Sequence, residues 1–180
     1  NGHVSQQQVT LEVGASASLE WLPQETIFFN DADVSLEHNV SLTADALYIG
    51  GEIFCFGRTA SGEAFDSGRI AQRTSIRRDG KLLWFEQGAL HAKSAAMSSP
   101  LSLAGYTVCA TLIAVGKNMN SAFINALREE SAEIAQDGRS GATQIKQVLV
   151  ARYLGHSSET ARLWICLLYT SDAADDSLRV

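Results

Sequence analysis

Glutamates that could act as acids, bases or metal ligands lie in and near two short runs of the chain. The first run, Leu19–Thr26, reads LEWLPQET, and the second, Gly57–Glu63, reads GRTASGE. Paired carboxylates can carry general acid and base catalysis, and carboxylate oxygens also bind divalent cations. Sequence separation alone places no two of them together, so solvated or ion-paired glutamates are the simpler interpretation. The four candidates are Glu20, Glu25, Glu52 and Glu63.

Ser61 does not fit the strained turn that exposes a nucleophilic serine. That turn requires glycine two residues before and two residues after the serine, whereas Ser61 is followed directly by Gly62. The nearby glycines do not form a phosphate loop either, because the GK[ST] element is missing. We therefore interpret Ser61 and Gly62 as turn residues and predict no catalytic residue. A β-rich hydrolase or ligand-binding module that uses the Ser61/Glu63 loop stays open as the alternative.

The residues that could bind a transition metal are dispersed along the chain. They include none of the closely spaced pairs that mark zinc and related sites. We predict no tight metal site and no permanently bound cofactor, while weak, transient binding by carboxylates and a thiol stays open. The residues are His3, His38, Cys55, His91, Cys109, His156 and Cys166.

Composition limits the class of protein and of partner. The 180 residues are 46% hydrophobic and 19% charged, which is typical of a globular chain. A net charge of −6 argues against a nucleic-acid partner, which would require excess Lys and Arg. No apolar stretch approaches the length of a membrane span, so no membrane partner is predicted. Three scattered cysteines favour a reducing compartment, and hence the cytoplasm.

Strands are the main elements that must position these residues. Apolar and polar residues alternate up to Gly14 and again from Val34 to Leu42, where His38 takes an apolar-face position and is interpreted as a core or rim histidine. Leu47–Phe56 and Thr107–Val115 are denser apolar runs that predict strands buried on both faces.

A β-hairpin is predicted around Asp79-Gly80, which suits the two positive-φ positions of a type I′ turn. It joins Ile70–Arg78 to Lys81–Gln87. The two-residue turn predicts that Ile76 lies opposite Leu83, that Thr74 lies opposite Phe85 and that Arg73 lies opposite Glu86.

Helices are predicted only near the carboxyl end. The first, from about Asn120 to Gln136, has Asn120 or Ser121 as its cap and Gly138 at its end. A strand at Val148–Leu154 leads to a second helix that opens at Ser157 or Ser158. The chain is thus predicted to be mainly β with two carboxy-terminal helices, in one domain without repeats.

Five ordered blocks resemble the urease accessory protein D family, called UreD or UreH. The resemblance implies a scaffold of stacked, partly helical β-sheets that is not an enzyme. It also implies a role in urease maturation, in which the scaffold binds urease apoprotein and accessory proteins F and G for GTP-dependent nickel insertion. The blocks are Gly14–Phe28, Gly50–Glu63, Arg78–Gly80, Ala110–Leu112 and Leu149–Gly155.

The resemblance also suggests roles for individual residues. The four glutamates are expected to line or flank a route for nickel in transit, with Arg58 and Arg152 fixing them by charge-assisted hydrogen bonds. A purely structural role for each glutamate stays open. The residues expected to serve binding or to maintain the motifs are Trp21, Pro23, Cys55, Arg58, Ser61, Gly62, Arg152 and Tyr153.

The chain departs from the family pattern at three positions and at its ends. Gly51 stands where the family usually has Trp, Thr59 where Pro is common, and His156 where Asp normally caps the last helix. We expect local weakening at Gly51 and His156. The family's amino-terminal part is absent, and Cys166–Asp175 resembles a translated sequencing adapter. Residues 1–164 are therefore predicted to form a partial domain and residues 165–180 a non-native tail.

Overall fold

The computed structural model of the chain describes residues 3–116 and 118–174 and is mainly β. Its contacts divide the chain into two compact units. Among the described residues, unit 1 comprises 3–18, 27–46 and 56–105, and unit 2 comprises 19–26, 47–55, 106–116 and 118–174. No helix among the described residues is long and apolar enough to cross a membrane.

Most of the strands precede the helices along the chain. The strands are β1 (Ser5–Val13), β2 (Ser18–Trp21), β3 (Thr26–Phe28), β4 (Ala32–Leu42), β5 (Leu47–Phe56), β6 (Gly68–Arg78), β7 (Lys81–His91), β8 (Val108–Val115), β9 (Arg139–Ile145) and β10 (Val148–Gly155). The helices are α1 (Ala95–Ser98), α2 (Ser121–Ile134) and α3 (Ser158–Ala174), and Thr59–Ser61 forms a 3₁₀ turn.

Unit 1 is built on a four-stranded sheet in the order β1-β4-β6-β7. The first three strands run parallel and β7 returns antiparallel to β6. The predicted period-two alternation is confirmed, because Val13, Val40 and Ile76 are buried on one face of this sheet. Three aromatic rings add to the core of the unit, with Phe28 and Phe56 stacked at 6.0 Å between ring centroids and Phe65 beside Phe56.

The β6–β7 hairpin has the predicted turn but a different register. Asp79 and Gly80 adopt φ values of 47° and 77°, as a type I′ turn requires. A β-bulge beside Ile76 inserts one extra residue into β7, so Ile76 lies opposite Trp84, Thr74 opposite Glu86 and Arg73 opposite Gln87. The predicted cross-strand partners Leu83, Phe85 and Glu86 were therefore wrong by one residue. Arg73 instead lies 3.8 Å from the carboxylate of Glu37.

His38 is buried on the apolar face of β4, which confirms that it is a core or rim histidine. In the sheet it lies between Val9 of β1 and Thr74 of β6. Burial penalises the charged imidazolium and lowers the pKa of His38 from its ordinary value of 6.5. The folded chain therefore holds this ring neutral at pH values where the unfolded chain has begun to protonate it.

We expect His38 to make the stability of the protein depend on pH. Below about pH 6.5 the unfolded chain binds more protons at this site than the folded chain, so the free energy of unfolding falls as the pH is lowered. Urea unfolding at about pH 5 and about pH 8 should show a smaller pH difference for His38→Gln. The control His91→Gln removes an exposed histidine at the end of β7 and should keep the full difference. Equal pH differences for the two variants would contradict the expectation.

Unit 2 is built on a second sheet in the order β2-β5-β8-β10-β9. The pairs β5–β8, β8–β10 and β10–β9 are antiparallel. Helices α2 and α3 contribute to one core cluster with side chains from one face of this sheet. Its larger members include Ile53, Leu112, Ile124, Leu127, Leu149, Tyr153, Trp164, Ile165 and Leu168.

Strand β9 was not predicted. In the chain it lies between α2 and α3. Its sequence, RSGATQI, has only one buried residue, Ala142, so its apolar alternation is weak. Pairing with β10 along its whole length gives it its conformation. The short strands β2 and β3, which lie on either side of residues 22–25 in the LEWLPQET run, were also not predicted.

The predicted α2 cap is confirmed, but the predicted role of Gly138 is wrong. The side chain of Asn120 accepts a hydrogen bond from the amide of Phe123 at 2.8 Å. The helix ends at Ile134, well before Gly138. A Cβ at Gly138 would lie 2.2 Å from the carbonyl oxygen of Leu154. Glycine is therefore needed here because two backbones approach closely, and not because a helix is closed.

Helix α3 begins at the predicted place and continues beyond Trp164. The hydroxyl of Ser157 caps it by accepting from the amide of Thr160 at 3.1 Å. Ile165 and Leu168 are buried, whereas Cys166 is exposed. The boundary between residues 164 and 165 thus falls within a helix, and the division into a partial domain and a non-native tail stays a prediction. Residues 175–180 lie outside the described residues.

Candidate functional site

The GRTASGE run of unit 1 forms a tight loop, which we call the Arg58 loop (Gly57–Glu63). It opens at Gly57 with φ at 88° and closes at Gly62 with φ at 74°. Between them the carbonyl of Arg58 accepts hydrogen bonds from the amides of Ser61 at 2.8 Å and Glu63 at 3.1 Å. Both glycines occupy backbone conformations that other residues rarely adopt, so the loop favours glycine at both positions.

Glu63 holds the Arg58 loop through both of its carboxylate oxygens. Oε2 accepts from Nε of Arg58 at 2.6 Å, and Oε1 accepts from the backbone amide of Asn30 at 2.8 Å. These hydrogen bonds, first from Asn30 and then from Arg58, lower the pKa of Glu63 from its ordinary value. Glu63 is therefore ionised at neutral pH and is already engaged on both oxygens, which favours a structural anion over a general base.

Asn30 is a second anchor of this region, and sequence reasoning missed it. Its side-chain oxygen accepts from the amides of Asp66 at 2.9 Å and Ser67 at 2.8 Å. Asn30 precedes Asp31, whose φ is 65°. The Asn-Asp pair before a strand is a turn signal that could have indicated it.

An exposed aromatic ring and a cation lie side by side next to the Arg58 loop. The guanidinium of Arg58 lies 5.0 Å from the ring centroid of Phe29, and 51% of Phe29 is exposed. Cation–π contact of this kind orders both side chains at the surface. The pair presents an ordered aromatic ring and guanidinium group, and both kinds of side chain are enriched in protein interfaces.

Ser61 lies in the 3₁₀ turn of the Arg58 loop and is exposed. Its hydroxyl makes no side-chain hydrogen bond within the described part of the chain, and the nearby Glu63 is held by other donors. A nucleophilic serine requires a base within hydrogen-bond distance. The position of Ser61 therefore favours a turn residue.

The LEWLPQET run of unit 2 places Glu25 against helix α3. The carboxylate of Glu25 accepts from the guanidinium of Arg162. Its own backbone amide first, and Arg162 second, lower the pKa of Glu25. Arg162 lies 137 residues further along the chain, and no local signal connects it to Glu25. Sequence reasoning named Arg58 and Arg152 as the partners of the glutamates and missed this one.

Cys55 is buried near the same ion pair. Burial first, and then the negative charge of Glu25, raise the pKa of the Cys55 thiol, although a hydrogen bond with Ser158 partly opposes them. The thiol is therefore protonated at neutral pH. Because the thiolate is the nucleophile and the metal ligand, this environment argues for a packing role.

The other two candidate glutamates lie elsewhere in unit 2. Glu20 accepts a hydrogen bond from the hydroxyl of Tyr169 at 2.8 Å. Glu52 is on β5 and lies opposite Thr111, and Arg152 of β10 lies opposite Thr111 from the other side. Residues directly opposite one another share a face of the sheet, so Glu52, Thr111 and Arg152 form one row on that face.

The remaining motif residues have structural environments. Trp21 ends β2 and Pro23 lies exposed after it. Tyr153 is buried with its ring centroid 5.8 Å from that of Trp164, and burial raises the pKa of its hydroxyl. No group of three or more His, Cys, Asp or Glu side chains suited to a metal ion occurs among the described residues. The predicted nickel route through the four glutamates therefore stays a prediction.

Comparison with known proteins shows the family of the chain. The family model described as UreD urease accessory protein matches residues 1–174. The chain belongs to the UreD family. Its relatives include proteins named urease accessory protein UreD from Janthinobacterium sp. (strain Marseille), 82% identical over 165 residues, and from Nitrosospira multiformis, 52% identical over 168 residues. Each match covers 92% of this chain.

The chain spans only part of the length of these UreD relatives. It covers 56% of the Janthinobacterium protein and 60% of the Nitrosospira protein. A third relative, from Azoarcus sp. (strain BH72), is 42% identical over 160 residues, with 89% of this chain and 55% of the relative covered. The mainly β fold with carboxy-terminal helices agrees with the fold that the resemblance implied.

The departures from the UreD pattern have different structural consequences. His156 does not weaken the cap of α3, because Ser157 caps that helix. Its ring instead lies 3.2 Å from the hydroxyl of Thr107 and 5.1 Å from the Tyr106 ring centroid. Thr59 begins the exposed 3₁₀ turn of the Arg58 loop, and nothing in the structure explains the difference from Pro.

Gly51, where the family resemblance predicts Trp, is closely surrounded by side chains. A Cβ at Gly51 would lie 3.1 Å from Cδ2 of Leu22 and 3.3 Å from Cδ1 of Ile165. These close contacts argue against the expected local weakening at Gly51, which stays a prediction. We expect Gly51→Trp to lower the free energy of unfolding by about 1–3 kcal/mol through overpacking.

Gly51→Ala is the matched variant for this position. Its methyl group meets only the flexible ends of Leu22 and Ile165, so we expect a change within about 0.5 kcal/mol. Thermal and urea unfolding of both variants would measure the effects. A tryptophan variant that is more stable than the original chain would show that Leu22 and Ile165 can move aside without loss.

Proposed function

We propose that the chain acts in urease maturation as a binding scaffold and not as an enzyme. The match of the UreD family model to residues 1–174 carries this proposal, and the relatives are named as accessory proteins. Two observations agree with it. Ser61 makes no side-chain hydrogen bond within the described part of the chain, and Glu63 is held on both oxygens by other groups. The Arg58 loop is therefore better suited to recognition than to catalysis.

In finer detail, we propose that the scaffold binds urease apoprotein and accessory proteins F and G in the cytoplasm. Accessory protein G would supply GTP hydrolysis, and nickel would pass to the urease active site within the complex. The exposed Phe29 and Arg58 support a role in partner binding, since aromatic residues and arginine dominate the energetics of many protein interfaces. The loop that carries them is already ordered by Glu63 and Asn30, so little entropy is lost on binding.

We extend the proposal to nickel in transit along Glu20, Glu25, Glu52 and Glu63. Carboxylate oxygens bind divalent cations less tightly than thiolates and imidazoles bind transition metals, which would let nickel leave again. Glu25 and Glu63 have lowered pKa values and so are ionised at neutral pH. Arg162 and Arg58 oppose a cation at these two positions, so a passing ion would have to displace an arginine from one carboxylate oxygen.

Affinity capture tests the scaffold proposal. Tagged accessory protein F should capture the chain, with the full-length Janthinobacterium relative as the positive control. Phe29→Ala should weaken capture by about tenfold or more, because an exposed aromatic anchor is lost. The control is Phe85→Ala, which removes another ring of unit 1 that is 46% exposed and lies 5.8 Å from an arginine. Capture of the relative but not of the chain would refute the proposal for this chain.

Charge-neutral substitutions separate the nickel route from the scaffold. Glu20→Gln and Glu52→Gln keep the size of each side chain while removing its charge. If the route is correct, these variants should lower urease activation in cells without lowering capture by accessory protein F. Normal activation would remove these two glutamates from the route, and an equal loss of capture would assign them to partner binding.

A further inference from the structure

An open groove lies between the first half of α2 and strand β9, and both elements belong to unit 2. Its volume is about 430 Å³, which is within the range of protein binding pockets. Polar side chains account for most of its lining. Those that carry the inference are Asn118, Ser121, Asn125, Arg128, Gln144 and Lys146. We call it the α2–β9 groove.

Hydrogen bonds within the groove use the acceptors of its amide side chains. Oε1 of Gln144 accepts from the amide of Met119 at 3.0 Å, and Oδ1 of Asn118 accepts from Nε2 of Gln144 at 3.4 Å. Oδ1 of Asn125 accepts from Nη1 of Arg128 at 3.2 Å. The groups that remain to meet a ligand are therefore mainly donors, namely the side-chain amide nitrogens of Asn118 and Asn125, the ammonium of Lys146 and part of the Arg128 guanidinium.

The charge of the groove is opposite to that of the whole chain. Arg128 and Lys146 line it, and no carboxylate does so among the described residues. The full sequence carries a net charge of −6. A donor-rich, positive groove on an acidic protein selects for a carboxylate, because charge-assisted hydrogen bonds from arginine and lysine are stronger than neutral ones.

The groove reaches the outer edge of β9. Thr143 and Gln144 both line it. Consecutive residues of a strand point to opposite faces of the sheet, so a groove lined by both residues must extend around the edge of the strand. In the described part of the chain β9 is the last strand of its sheet and pairs only with β10. The Ala142 carbonyl of β9 already accepts from Nε of Arg128 at 2.8 Å. Other backbone amides and carbonyls of the outer edge can pair with an added extended segment.

We propose that the α2–β9 groove binds an extended, acidic peptide segment of a partner protein. A glutamate or aspartate of that segment lies between Arg128 and Lys146, and its main chain runs along the outer edge of β9. The partner must be extended because its main chain pairs with the edge of β9. It must be acidic because the groove side chains offer mainly hydrogen-bond donors. The groove is formed by other residues than the Arg58 loop, and its chemistry does not rest on the role in urease maturation.

Fluorescence anisotropy with the full chain tests this proposal. The probe is a short fluorescein-labelled peptide of alternating Glu and Val, compared with the same peptide carrying Gln in place of Glu. The Glu peptide should bind and the Gln peptide should bind at least about tenfold more weakly. Lys146→Gln should weaken binding of the Glu peptide by a similar factor. Lys146 is exposed, so this substitution leaves the core intact.

The matched control is Lys81→Gln, which removes one exposed lysine at the start of β7 and should leave binding of the Glu peptide unchanged. If the two lysine variants weakened binding equally, the interaction would depend only on net charge, and the proposal would be overturned.

Free succinate is the second probe. If succinate binds as tightly as the Glu peptide, with the same dependence on Lys146, the groove takes a small anion and not a peptide. Slower amide exchange in β9 with the Glu peptide would support the main-chain pairing, and unchanged exchange would overturn it.

Discussion

Replacement of Trp164 by alanine should lower the free energy of unfolding by about 3–5 kcal/mol, as large-to-small substitutions of buried aromatic residues do. The side chain is fully buried in the core of unit 2, at 0% exposure, and its ring packs against Tyr153. Its indole N–H donates to the hydroxyl of Ser131, which is also buried. The variant therefore creates a cavity and leaves a buried hydroxyl without this partner.

Two further substitutions in α3 make this test specific. Leu163→Ala removes the neighbouring side chain, which is 58% exposed, and should change stability by less than about 0.5 kcal/mol. Leu168→Ala removes a side chain that is 1% exposed and should cost about 2–5 kcal/mol. Urea unfolding measures all three variants. A Leu168 variant as stable as the Leu163 variant would indicate that the helix beyond Trp164 does not pack as described, in agreement with the predicted non-native tail.

Local sequence signals predicted the elements whose conformation is determined locally. Asp79-Gly80 gave the correct hairpin turn, and Asn120 and Ser157 gave the correct helix starts. The hairpin register failed because the bulge beside Ile76 depends on packing across the sheet, which no two-residue turn encodes. Strand β9 was missed because its conformation comes from pairing with β10 and not from its own apolar pattern.

The candidate site shows the same division between local and long-range contacts. Arg58 and Glu63 are five residues apart and form the hydrogen bond expected of Arg58. Glu25 and Arg162 are separated by 137 residues, and their contact depends on how α3 docks within unit 2. A single sequence gives no signal that two residues so far apart in the chain are in contact. The structure shows which carboxylates are held by arginines, and partner binding and nickel transit require the experiments described above.

Replacement of Gly57 by alanine should disrupt the Arg58 loop and destabilise unit 1 by about 3 kcal/mol or more, from backbone strain together with overpacking. Gly57 has φ at 88°, and a Cβ there would lie 2.5 Å from the carbonyl oxygen of Glu63. The clash is with backbone, which cannot rotate away as a side chain can. The substitution should displace Glu63, so the Glu63 carboxylate should also lose its hydrogen bonds with Arg58 and Asn30.

Gly62→Ala is the control for this prediction because Gly62 closes the same loop. Its φ is 74°, but a Cβ there meets nothing within 4 Å, so only the left-handed backbone penalty of about 1 kcal/mol applies. Urea unfolding measures the difference in stability, and amide exchange at Asn30 reports whether its hydrogen bond to Glu63 persists. We expect fast exchange in the Gly57 variant and retained protection in the Gly62 variant. Equal destabilisation with protection retained in both would mean that positive φ, and not the close approach at Glu63, accounts for the requirement for glycine at residue 57.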